Sequence, residues 1–106
     1  MSELPLPFRE FKRDQPELAD AYEALGAIAA EAGPLGVKIR ELVKLGMAAA
    51  VHSESAVHSH THRALDAGAS AEEIEHAILL GATTLGHPTM MAALTWAKAA
   101  METHES

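Results

Sequence analysis

SESAVHSHTHRALDAG, residues 53–68, is the stretch from which the rest of the chain is read. With His52 just before it, it gathers four of the seven histidines. At about 100° per residue, Ser53, Ala56, Val57, His60, Ala64 and Ala67 share one face of a helix. Glu54, Ser55, His58, His62 and Asp66 share the opposite face. One histidine, His60, therefore follows the apolar stripe, and His58 and His62 point away from it.

Working outward, Gly68 is placed to end this helix in a left-handed turn. Ser70-x-x-Glu73 follows and matches a capping box. The helix it opens, residues 71–85, is apolar nearly all round, with Ile74, Ala77, Ile78, Leu79, Leu80, Ala82 and Leu85. A helix apolar on every side is buried on every side, which in a short chain predicts contact with another subunit. Gly86-His87-Pro88 breaks it, and Pro88 opens a last helix with Met90, Ala93, Leu94, Ala97 and Met101 on one face. The tail, residues 103–106, is read as frayed. Toward the N-terminus, a helix over about residues 36–51 has Leu35, Ile39, Leu42, Val43, Gly46 and Ala50 as its expected core face. Arg40, Glu41, Lys44 and Ala48 lie opposite. Gly33-Pro34 separates it from a helix over about 16–32, with Pro16 in its first turn and Leu18, Ala21, Leu25, Ile28 and Ala29 as its expected buried stripe. Residues 1–14 form a lead-in in which Phe8 and Phe11 share a short helical turn. No run alternates with period two and no segment repeats. The expected fold is all-α, one domain over 1–106 with five to six helices.

Composition narrows the function. A formal charge of −7 argues against nucleic acid and against anionic membrane surfaces. The chain has no cysteine, which excludes disulfides, thiolate metal sites and thiol redox chemistry. Residues 77–97 contain no Asp, Glu, Lys or Arg, yet Gly86-His87-Pro88 cuts the stretch in two. Two short buried helices fit it better than a membrane span. The first residues, MSELPLPFREFKRD, lack the apolar segment of a secretory signal, so a cytoplasmic location is expected. Alanine supplies much of the apolar content, and small side chains bury little area each. A homo-oligomer is therefore expected.

Four groups of residues also carry a family likeness. Arg40-Glu41-Leu42-Val43, His60-Thr61-x-Arg63-Ala64-Leu65-x-Ala67-Gly68-Ala69, Glu72-Glu73-Ile74 and Gly86-x-Pro88 together resemble the carboxymuconolactone decarboxylase family, in the superfamily of alkyl hydroperoxidase D. The redox branch carries Glu-x11-Cys-x-x-Cys-x3-His. Here Glu41, Ser53, Ala56 and His60 stand at those spacings, so the glutamate and the histidine are kept and both cysteines are replaced. A serine hydroxyl and an alanine methyl cannot cycle through sulfenic acid and disulfide, which excludes a cysteine-based hydroperoxidase. The decarboxylase branch resembles this chain in lacking those cysteines. The resemblance implies trimers or hexamers, a small carboxylated lactone or similar substrate, and no cofactor.

By the resemblance, His60 acts as general acid and base with Glu41 as its orienting partner. Read from the residues alone, His60 is either a core histidine bonded to a carbonyl or to Glu41 or a general acid and base in an apolar pocket, and Glu41 is a solvated carboxylate beside Lys38 or Lys44. Ser53, seven residues from His60, is too far along the helix for a nucleophile–base contact. It reads as pocket lining or a helix cap, with Ala56 beside it. Arg40, Lys44 and Arg63 flank the pair and are candidates to hold an anionic substrate, and His87 is a loop residue or a pocket residue. Glu54, His58 and His62, successive i+4 neighbours, are the candidates for a surface metal chelate. Glu73-x-x-His76 occurs once, and Glu73 is accounted for by the cap. Three readings follow: a decarboxylase or lactone-processing enzyme, a non-catalytic oligomeric binder of the same fold, and a metal-binding protein using the outward histidines.

Overall fold

The computed structural model describes residues 6–104. Among them are six helices and no strand: α1 (Leu6–Asp14), α2 (Pro16–Ala30), α3 (Val37–Ala50), α4 (Glu54–Asp66), α5 (Ala71–Leu79) and α6 (His87–Glu102), with a 3-10 turn at Leu80–Ala82. The all-α expectation holds. The chain divides into two compact units, one ending at Pro34 and one beginning at Leu35.

In the first unit, the Phe8 ring lies 6.2 Å from both the Phe11 and the Tyr22 rings. Lys12 Nζ meets Glu23 Oε1 at 3.1 Å, so α1 and α2 are joined by an aromatic cluster and an ion pair. The expected buried stripe of α2 is not buried. Leu18, Ala21, Leu25, Ile28 and Ala29 are exposed in the single chain, and Ala19 is the buried residue.

The second unit holds the core: Leu45, Ala48, Ala49, Val57, Ala64, Ile74, Ile78, Met90, Ala93 and Ala97. Its local signals work as read. Ser53 Oγ accepts from Ala56 N at 3.3 Å and caps α4. Gly68 has φ +95°, a conformation costly for any side chain bearing a Cβ. Ser70 and Glu73 make both bonds of the capping box. On α6, Met90, Ala93 and Ala97 are buried, as expected, and Ala100 joins them.

The other face assignments change. The buried face of α3 is Leu45, Ala48 and Ala49, of which Ala48 belongs to the side expected to be solvated; of the expected core face, Leu42 packs against the core, while Leu35, Ile39, Val43 and Ala50 are exposed. Hydropathy ranks faces by apolar content, but the small side chains of Ala48 and Ala49 allow the closer helix approach, and the chain uses that face for its own core. The expected 71–85 helix is shorter and less enclosed. After Leu79 the backbone tightens, and the N–H groups of Thr84, Leu85 and Gly86 all converge on the Gly81 carbonyl. Leu79 and Leu80 stay exposed. On α4 the buried line is Val57, Thr61 and Ala64, one position round from the line expected, which leaves His60 at its flank. Thr103 and His104, read as frayed, are held by hydrogen bonds; residues 105 and 106 lie outside the described chain.

Two substitutions test this core. Leu45→Ala empties a fully buried site and is expected to cost about 2–5 kcal/mol in urea unfolding. Thr61 is fully buried, and its Oγ1 has no hydrogen-bond partner. Thr61→Val, which keeps the shape and removes that orphan hydroxyl, is expected to stabilise the protein by about 1 kcal/mol. A loss of stability in Thr61→Val would contradict this packing.

Candidate functional site

The turn between α3 and α4 brings their facing sides together. Val51 N donates to Met47 O, and Ser53 N donates to Ala48 O, so α3 gives way to α4 within three residues. His52 carries the only positive φ among the described non-glycine residues, +58°, and its ring stands edge-on to Trp96 at 4.9 Å. Contact between α3 and α4 along Ala48, Ala49, Val57 and Ala64 leaves little room for bulk. At the other end of that contact, one long polar side chain from each helix meets: His60 Nδ1–H donates to Glu41 Oε1 at 2.8 Å. The two side chains are 16% and 14% exposed. The bond ties up Nδ1 and leaves Nε2 to exchange a proton.

Beside the pair is an open hollow of about 310 Å³, lined by Val37 and Glu41 of α3 and by Arg63, Asp66 and Ala67 at the end of α4. Arg63 and Ala67 fall three and seven residues after His60 and so share its side of the helix. Glu41 belongs to both the pair and the hollow. Arg63 supplies the cation. The second carboxylate there, Asp66, accepts from His104 Nε2 at 2.8 Å.

The other candidates are placed elsewhere. Ser53 is the α4 cap, and Ala56 packs on the core. Arg40 donates from Nη1 to the Leu35 carbonyl at 2.8 Å, Lys44 is exposed, and neither lines the hollow. His87 is the first residue of α6, behind Gly86 with φ +87°, and its side chain is exposed.

The outward histidines do not simply face water. His62 Nε2 donates to the Ala100 carbonyl at 2.8 Å, which ties α4 to the last turn of α6. Its ring lies 4.3 Å from that of His58 and 5.1 Å from that of His104. His62 and His104 thus hold the end of the described chain in place. Helical spacing could not reveal this, because both bonds link residues 38 positions apart. Among the described residues no group of three or more His, Asp or Glu is placed to hold a metal ion. None of the described helices is long and apolar enough to cross a membrane.

Comparisons with known proteins agree with this architecture. The family model for carboxymuconolactone decarboxylases matches residues 16–99. An uncharacterized protein of Haemophilus influenzae is 40% identical over 57 residues, 54% of this chain and 50% of that protein. The chain therefore spans about half the length of that curated relative. Among solved structures, the apo crystal structure of a carboxymuconolactone decarboxylase family protein from Legionella pneumophila is similar with a TM-score of 0.82. It covers 93% of this chain and 88% of that one at 23% identity, a likeness of fold.

The histidine cluster has a pH signature. Burial, and then the neighbouring charge of His62, hold His58 below the usual histidine value of about 6.5, against an opposing pull from Glu54. The folded state thus favours neutral His58. Its contribution is complete above about pH 6.5 and is lost as pH falls through the lowered folded value. Urea unfolding of wild type and His58→Gln at pH 7.5 and 5.5 should show a smaller acid-induced loss in the variant. Equal losses would contradict the assignment.

Proposed function

Because the chain belongs to the carboxymuconolactone decarboxylase family, we propose that it is a small acid–base enzyme. It removes carbon dioxide from a compact carboxylated lactone or a related β,γ-unsaturated or β-keto acid, without a cofactor. The observation that carries this reading is the 2.8 Å bond between His60 and Glu41, mostly buried, at the edge of a hollow that also presents a guanidinium.

The chemistry follows from what those groups can do. Loss of carbon dioxide breaks a carbon–carbon bond and leaves its electron pair delocalised as an enolate-like anion. That anion must then be protonated. Glu41 fixes the Nδ1–H form of the ring and stabilises the imidazolium, so the proton is delivered from Nε2 and regained from solvent. Arg63 draws the substrate carboxylate into the hollow and offsets the charge that passes to the enolate. A volume of about 310 Å³ is at the lower end of ligand pockets and suits a compact substrate. The protein works as a homo-oligomer, a trimer or hexamer, which adds walls to a hollow that is open in the single chain.

The test is turnover of carboxymuconolactone, followed by loss of its carboxylate, with wild type, His60→Ala and Glu41→Gln. His60→Ala is expected to lower kcat by about 10²–10⁴-fold. Glu41→Gln should lower kcat with KM little changed, since the amide keeps the shape but not the charge. No turnover of any lactone or β-keto acid by folded wild-type protein would overturn the enzymatic reading and favour a non-catalytic binder.

A further inference from the structure

The hollow beside His60 is lined by two acids, Glu41 and Asp66, against one cation, Arg63. That is a poor balance for a site that takes an anion, unless both acids are engaged elsewhere. Side chains at i and i+3 of a helix are neighbours, so Asp66 stands within reach of Arg63. Asp66 is also the last residue of α4, where the negative end of the helix dipole disfavours a further negative charge and makes a donor more valuable. Local spacing therefore favours an Arg63–Asp66 pair, which would cancel the cation of the hollow.

The carboxylate has a different partner. Asp66 Oδ1 accepts from His104 Nε2 at 2.8 Å. Glu41 accepts from His60 in the same way. Arg63 is exposed and makes no hydrogen bond or ion pair with any described residue. Each acid of the hollow is thus bonded to a histidine, and the guanidinium stays open to an incoming anion. His104 is the fixed member of its pair, with a side chain 15% exposed against 56% for Asp66. Its ring stands edge-on to that of His62 at 5.1 Å, and His62 is itself bonded to the Ala100 carbonyl in the last turn of α6. Both the neutral Nε2–H ring and the imidazolium can donate to the carboxylate.

We infer that His104 is a positioning residue of the hollow: it holds the Asp66 carboxylate away from Arg63 and so keeps the guanidinium available to a carboxylate substrate. This inference rests on the anion-binding role given to Arg63 above and adds the residue that keeps that role open.

The test follows Arg63 through its side-chain Nε–H signal in ¹⁵N-labelled protein, and anion binding through titration with maleate, an unreactive small dicarboxylate. In His104→Ala the Arg63 signal should shift and exchange more slowly as Asp66 turns to it. Maleate affinity should fall about two- to fivefold, the scale of an exposed ion pair. Adding Asp66→Asn to His104→Ala should return the Arg63 signal to its wild-type position and the affinity to wild type or above. Asp66→Asn alone should leave the Arg63 signal in place, since that carboxylate does not engage it in the wild type. His104→Gln, whose amide can still donate to Asp66, should stay near wild type in both readings. An Arg63 signal that ignores His104→Ala, or that moves in Asp66→Asn alone, would overturn the inference. So would an affinity that Asp66→Asn fails to restore, or folded wild-type protein that binds no maleate. The expected pattern without turnover of carboxymuconolactone removes the enzymatic reading and leaves His104 in its role. Turnover with no response of Arg63 to His104→Ala removes the inference alone.

Discussion

A single hydrogen bond between two helices, His60 Nδ1 to Glu41 Oε1, sets the terms for the rest of the second unit. A carboxylate taken out of water is costly unless something donates to it, and at 14% exposure Glu41 has little solvent to fall back on. The imidazole meets that need, and the carboxylate in turn fixes which ring nitrogen carries the proton. The meeting requires α3 and α4 to pack closely. The alanines at 48, 49 and 64, all buried, leave room for that approach. Packing of small residues and the polar pair are therefore one design, and a larger residue at Ala48 or Ala64 would disturb both.

The helices were largely legible in the sequence because their ends are written in local chemistry. Ser70 with Glu73, Gly68 and Pro88 each act within a turn, and the helix ends lie close to where those residues place them. Which face of a helix turns inward is a different kind of fact. On α3, hydropathy points to Leu35, Ile39 and Val43, but the chain buries Leu45, Ala48 and Ala49. By that same measure Glu41 belongs in water. Its place beside His60 was suggested by family resemblance, through the spacing from Glu41 to His60, and not by periodicity. The contacts of His62 with Ala100 and of His104 with Asp66 had no sequence signal at all, since each spans most of α5 and α6.

The two sides of α4 divide the work. One carries His60, with Arg63 and Ala67 following on the hollow side. The other carries His58 and His62, whose rings lie tilted against each other, and His62 engages the last turn of α6 through the Ala100 carbonyl. Asp66 connects the two sides, because it lines the hollow and also accepts from His104.

The tautomer of His60 reports most directly on the interaction from which all of this follows. Long-range ¹⁵N–¹H correlation on labelled protein near neutral pH distinguishes a ring protonated at Nδ1 from one protonated at Nε2. A neutral His60 in the Nδ1–H form, with a slowly exchanging proton that Glu41→Gln abolishes or shifts, is the predicted result. A ring in the Nε2–H form, or one whose spectrum is indifferent to Glu41→Gln, would show that the pair does not form and would remove the basis of the site.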